Sequence, residues 1–140
     1  MALERRTVSV QEMIRSHPQP MTNDREALAR CIEACLGCSA TCTSCADACL
    51  SEDDVRELVR CIRLDLDCAD VCDVTARVLT RQTPGDATLL RATVEACALA
   101  CRVCAEECER HAEHHEHCRV CADACRRCAE ACNDLLATID

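Results

Sequence analysis

Residues 31–49 read CIEACLGCSATCTSCADAC, with cysteines at 31, 35, 38, 42, 45 and 49. The steps between them are four, three, four, three and four residues. Alternating three and four averages 3.5, close to one turn of α-helix, so all six sulfurs fall on one face of a single helix. The pattern recurs. Cys97, Cys101, Cys104 and Cys108 step by four, three and four, and Cys118, Cys121, Cys125, Cys128 and Cys132 by three, four, three and four. Cys61, Cys68 and Cys72 obey the same rule, with Asp65 in the slot between the first two. The spacing predicts an all-α chain of four helices, each turning a stripe of thiols toward a common axis. Short connections make sequential helices antiparallel, which gives an up-down-up-down four-helix bundle with a cysteine-lined core.

Composition makes that core unusual. The chain has 140 residues, 18 of them cysteine, and no Phe, Tyr or Trp. That length suits one domain with a buried core. Ala and Cys stand where a bundle normally places large apolar groups. So much cysteine usually signals a disulfide scaffold, but two features oppose it. The N-terminal stretch MALERRTVSVQEMIRSHP lacks the unbroken apolar run of a signal peptide, so the expected location is cytoplasmic, where thiols stay reduced unless coordinated. Successive thiols on one straight helical stripe are also poorly disposed for the S–S dihedral. A net charge of −9 excludes the basic surface that nucleic acid requires. No stretch is long and apolar enough to span a membrane.

The predicted organisation is a leader at residues 1–22 and a four-helix-bundle domain at 23–140. The leader carries a short amphipathic helix from Val8 to Ser16, ended by His17-Pro18-Gln19-Pro20. Met13 and Met21 offer thioethers, which read more simply as flexible packing residues. The first long helix is expected to start at Asn23, capped with Glu26, and to run to about Leu50. Gly37 inside it would let a neighbouring helix approach closely. Ser51, followed by Glu52, Asp53 and Asp54, is expected to open the second helix, which continues to about Arg81. Thr83-Pro84-Gly85-Asp86 is a turn. The third helix is expected from Asp86 to His111 and the fourth from His114 to Thr138.

Thiols three or four apart on a helix have Cβ atoms roughly 5–6 Å apart, and two metal–sulfur bonds of about 2.3 Å span a little under 5 Å. A two-coordinate metal therefore bridges successive thiols with little distortion. Thiolates select Cu(I), Zn(II) or iron–sulfur clusters. Clusters use loops with free backbone N–H groups, which helices have already committed. Zn(II) in tetrathiolate sites leaves a formal −2 on each, costly to bury. Cu(I) accepts two or three ligands, and with bridging thiolates roughly one ion per cysteine cancels charge within the bundle. The bland alternative, cysteine as a small hydrophobe, does not explain 18 of them in helical register. An unfolded, metallothionein-like chain would have no use for that register.

The blocks CIEACLGCSATCTSCADACL, CIRLDLDCADVCDVTARVL and CRVCAEECERHAEHHEHCRVCADACRRCAEAC closely resemble the bacterial copper storage proteins, over about residues 23 to 136. The resemblance implies a four-helix bundle whose thiolates hold many Cu(I) ions, commonly assembled as a homotetramer. It looks like the cytosolic branch, since exported members carry a twin-arginine signal. It implies metal ligation by all the striped cysteines and names no donor or recipient of copper. The remaining readings are zinc or general soft-metal sequestration, and a thiol-redox or electron-transfer protein. No nucleophile–base–orienter set is visible, so an enzyme is not expected.

Extending the stripes distinguishes the two ends. Leu28, Val78, Leu79, Leu90, Val94, Leu135, Leu136 and Ile139 are expected to form a dry aliphatic plug. Cys49, Asp54, Cys61, Cys108, His111, His115 and Cys118 gather at the opposite end. His111 and His115 continue the stripes by further helical steps, either as imidazole ligands or as part of a solvated His/Glu junction. Asp65 is either a ligand or a locally paired acid.

Overall fold

The computed structural model describes residues 8–19 and 24–139. Five α-helices follow in order: α1 (Val8–Ser16), α2 (Arg25–Leu50), α3 (Val59–Thr80), α4 (Ala87–Glu109) and α5 (Glu116–Leu136). A 3-10 turn at Val55–Leu58 leads into α3. Among the described residues there is no strand. The long helices pack in a ring, α2 on α3, α3 on α4, α4 on α5 and α5 back on α2, and α1 lies outside against α2. Ile14 is the buried anchor of α1, and Gln11 Nε2 donates to Glu33 Oε1 at 3.3 Å.

Local chemistry sets most boundaries. Asp24 caps α2 by accepting from the Ala27 N–H at 2.9 Å, and Asp86 caps α4 by accepting from Leu89 N–H at 2.8 Å. The cap expected at Asn23, like Met21, lies outside the described residues. Ser51 does not open a helix. Its N–H bonds back to Ala48 and Cys49 carbonyls as the C-cap of α2, and residues 51–54 turn before the 3-10 segment. The acids there are drawn to histidines of the facing connection instead of to a helix N-terminus. α4 ends at Glu109 and α5 begins at Glu116, inside the expected His111 and His114.

Two further expectations are corrected. Gly37 permits no close approach, because a Cβ there would meet nothing within 4 Å. Met13 is 67% exposed, so it is not the packing residue expected.

The core is built from cysteine, alanine and a few aliphatic residues. All 18 cysteines are buried. The expected plug is present: Leu28, Leu79, Val94 and Leu135 are buried, and Leu90, Leu136 and Ile139 pack partly buried against them. Its outer layer is less dry than expected, since a cleft of about 830 Å³ opens there along Val78, Leu89, Leu90, Leu135 and Ile139. The Arg91 guanidinium donates to the Ile139 carbonyl and fastens the chain end over this layer. At the opposite end Leu58, the last residue of the 3-10 turn and one three-residue step before Cys61 on the α3 stripe, is fully buried.

Candidate metal centre

Each bundle helix delivers its stripe to the axis because three- and four-residue steps keep Cβ on one side of the helix. The helices bring sulfurs from different stripes together. Cys42 Sγ lies 3.5 Å from Cys125 and 3.6 Å from Cys121. Cys72 lies 3.5 Å from Cys101, and Cys31 3.7 Å from Cys132. Cys35 meets Cys97 at 3.7 Å, and Cys61 meets Cys108 at 3.7 Å. Within single stripes, Cys38–Cys42 and Cys68–Cys72 are separated by 3.8 and 3.9 Å. With bonds of about 2.3 Å, a trigonal metal needs sulfurs about 4 Å apart and a linear one about 4.6 Å. The ladder is therefore close to ligating geometry before any ion enters, and small outward movements reach two-coordination.

The sulfurs form overlapping groups, not separate pockets. Cys38 belongs with Cys68, Cys72 and Cys101 and equally with Cys42, Cys68 and Cys125, while Cys42 also groups with Cys104, Cys121 and Cys125. Cys35, Cys97, Cys128 and Cys132 form a further group toward the plug. Shared membership is what bridging thiolates require. In the metal-free state the thiols hydrogen-bond among themselves: bonding with Cys101 pulls Cys38 below the ordinary thiol range, and bonding with Cys104 pushes Cys42 above it.

Asp65 stands in the ladder as its slot suggests. The side chain is fully buried, and Oδ1 accepts from Cys104 at 3.1 Å, Cys121 at 3.3 Å and Cys108 at 3.4 Å. Burial pushes its carboxyl up to about 7, with the Cys121 sulfur adding to the effect. Its partners are thiols, so the local pairing considered from sequence takes this form. Among the described residues no buried side-chain nitrogen or oxygen lacks a partner.

The polar mouth assembles as expected, although its imidazoles point differently. His111 Nε2 meets Glu107 Oε2 at 2.9 Å, and Glu107, itself buried, also takes Arg110 at 3.1 Å. His115 lies between Glu52 Oε2 at 2.9 Å and Asp54 Oδ2 at 3.0 Å, and the hydrogen bond with Asp54 raises its pKa above the ordinary imidazole value. The imidazole that reaches the thiols is His117. Its Nδ1 lies 3.4 Å from Cys45 Sγ and 3.7 Å from Cys118 Sγ. Sequence reasoning passed over it because it lies one residue from Cys118, off the three–four stripe. The available signal was its position in the first turn of a helix, where a side chain next to a ligand swings toward the opening.

The chain matches the profile of the copper storage protein family over residues 24–137. It is similar to the copper storage protein of Streptomyces lividans loaded with 10 copper equivalents, with 57% identity, a TM-score of 0.90, and coverage of 92% of this chain and 98% of that one. The five-copper form, described as a cytosolic copper storage protein from Streptomyces lividans, superimposes with a TM-score of 0.82 at 61% identity, over 84% of this chain and 98% of that one. The Cu(I)-bound copper storage protein 3 of Bacillus subtilis is 36% identical, with a TM-score of 0.67, over 79% of this chain and 95% of the other.

Proposed function

This chain belongs to the copper storage protein family, and on that premise we propose that it stores many Cu(I) ions on the thiolates inside its bundle. The ligands in this reading are Cys31, Cys35, Cys38, Cys42, Cys45 and Cys49 on α2, and Cys61, Cys68 and Cys72 on α3. Cys97, Cys101, Cys104 and Cys108 on α4, and Cys118, Cys121, Cys125, Cys128 and Cys132 on α5, complete the set. One observation carries it: all 18 sulfurs are buried, fifteen of them lie 3.5 to 4.0 Å from another sulfur, and Cys45, Cys49 and Cys118 group with His117 within 4.8 Å. Bridging Cu(I) neutralises such a ladder one charge per thiolate, whereas isolated tetrathiolate dications would leave buried negative charge.

The reading is of a binding protein, not an enzyme: like thiols in ladders offer no differentiated acid, base and nucleophile. Cytoplasmic location is supported by the likeness to a protein described as cytosolic. Residues 23–140 act as the storage domain, with α1 an outer brace. The family resemblance implies a homotetramer, and the outward arc of α3 offers exposed Val59, Leu66 and Val74 for such contacts. Copper enters and leaves at the mouth, where His111 and His115 supply nitrogen donors near Cys49, Cys61, Cys108 and Cys118. Asp65 takes part by giving up its thiol hydrogen bonds as those sulfurs are metallated.

The test is anaerobic Cu(I) titration of the reduced protein against a chromogenic chelator. Saturation near one ion per cysteine is expected. Saturation near four ions per chain would overturn the copper reading in favour of tetrathiolate sites of the zinc type.

A further inference from the structure

Among the described residues, α3 has more exposed large apolar side chains than any other helix: Val59 is 61% exposed, Leu66 44% and Val74 54%. At about 100° per residue these three share an arc of about 80° with Arg63 and Asp70, on the side away from the thiol stripe. α3 packs on α2 and α4, and α1 lies on α2, so the arc faces outward.

The charges on this helix are ordered. Arg60 and Arg63 stand in its first half, and Asp67, Asp70 and Asp73 in its second. Arg60 is drawn sideways to Glu107 on α4 at 3.5 Å. Arg63 is 76% exposed, and both oxygens of Asp67 bond to its Nε, at 3.1 and 3.0 Å. The two terminal nitrogens of that guanidinium keep their donors for other acceptors. Asp70 meets no cation among the described residues.

Each chain carries a net charge of −9, so copies repel unless they meet through a locally neutral face. α3 supplies one, since Arg60, Arg63 and Arg77 balance Asp67, Asp70 and Asp73. It is also its own complement. The midpoint between Arg63 and Asp70 is the midpoint between Val59 and Val74 as well, and it falls between Leu66 and Asp67. A two-fold axis there reverses the second helix. It sets Arg63 of each copy against Asp70 of the other, Val59 against Val74, and the two Leu66 side chains together at the centre. A parallel arrangement would put arginine against arginine and aspartate against aspartate, which opposes it.

We propose that α3 is a self-recognition surface: two copies of this chain pair back to back and antiparallel through it, with Leu66 at the centre and Arg63 bonded to Asp70 across the axis. The proposal rests on the reading that copies of the chain assemble, and adds which face they use, in which direction and through which charges.

The experiment is sedimentation velocity on the reduced, metal-free chain and its variants over a range of concentration and salt. The unaltered chain is expected to associate, and less strongly as salt screens the exposed pairs. Leu66→Asp should split the assembly at this face, lowering its mass by half or more. Arg63→Asp and Asp70→Arg should each weaken pairing by about tenfold, because the axis doubles every change. Mixing those two single variants should restore it, since the acidic copy then meets the basic one on both sides of the axis. A general loss of fold would not be repaired by mixing, and helical circular dichroism checks each variant for it. An assembly mass unchanged by Leu66→Asp, single variants that stay apart when mixed, or an unaltered chain that stays monomeric would each overturn the proposal. Cu(I) capacity per chain should be the same in every variant, since these side chains lie on the far side from the thiols, and it tests the storage reading separately.

Discussion

The two ends of the bundle use the same helices for opposite purposes. At one, Leu28, Leu79, Val94 and Leu135 are packed out of water, and their side chains carry no donor for a soft cation. At the other, two connections meet through Glu52, Asp54, Glu107 and three imidazoles, directly above the first thiols. An ion crossing the aliphatic end would shed its ligands before finding others, which is costly for a charge in apolar surroundings. The polar end provides donors throughout. On the proposed reading, holding the fold and admitting the cargo fall to different residues, so each can be perturbed separately.

The largest separation is expected from the plug. Because the protonated thiols pack as small apolar groups, the reduced metal-free chain should already be helical by circular dichroism. Leu28→Ala should then cost about 2–5 kcal/mol of its unfolding free energy, read by denaturant titration, with Cu(I) capacity unchanged. A drop in capacity without a drop in stability would erase the distinction between the ends.

Asp65, between the two regions, should contribute a comparable but pH-dependent amount. Its carboxyl is raised from 3.8 to about 7 mainly by burial, so the unfolded chain ionises first as pH rises. Stability is full below about pH 4 and declines until about pH 7, by up to about 4 kcal/mol. Asp65→Asn should flatten that slope in the metal-free protein. An unchanged slope would mean that another group carries it.

The smallest effect belongs to the mouth and should appear in rates. His115 has a raised pKa through Asp54, so its charged pairing is complete below the ordinary imidazole value near 6.5 and is lost as pH rises through the raised one. Loading and chelator-driven removal of Cu(I) should therefore slow on the acid side. Replacing His111 and His115 with Ala should change both rates by roughly tenfold or less, about 1.4 kcal/mol in barrier, with capacity lowered by few ions. Unchanged rates there, with altered rates in a Leu90→Ala, Leu135→Ala variant, would put the entrance at the plug.

The ladder was legible in the sequence because helical period alone determines which cysteines share a face, and every one of them is buried. The plug followed from extending the same rule. The mouth was less legible because its geometry comes from contacts between segments far apart in the chain. Glu52 and Asp54 have the local signature of a helix start, yet they bond to His115 and His117, more than sixty residues away. His117 is off the stripe, and only the approach of Cys45 from α2 gives it a role.

A ladder of like rungs raises a problem of axial alignment. In α2, α4 and α5 a slide by one seven-residue repeat would exchange cysteine for cysteine and leave the middle of the core chemically unchanged. The interior alone is therefore nearly degenerate between registers, as flat uniform cores are in coiled coils. A slide would, however, drive Leu28 or Leu135 into the sulfur column, or carry Glu52 away from His117, and each costs free energy at a terminus. The leucines and the carboxylate–imidazole contacts serve as bookends: they select one alignment among several that the thiols would accept equally.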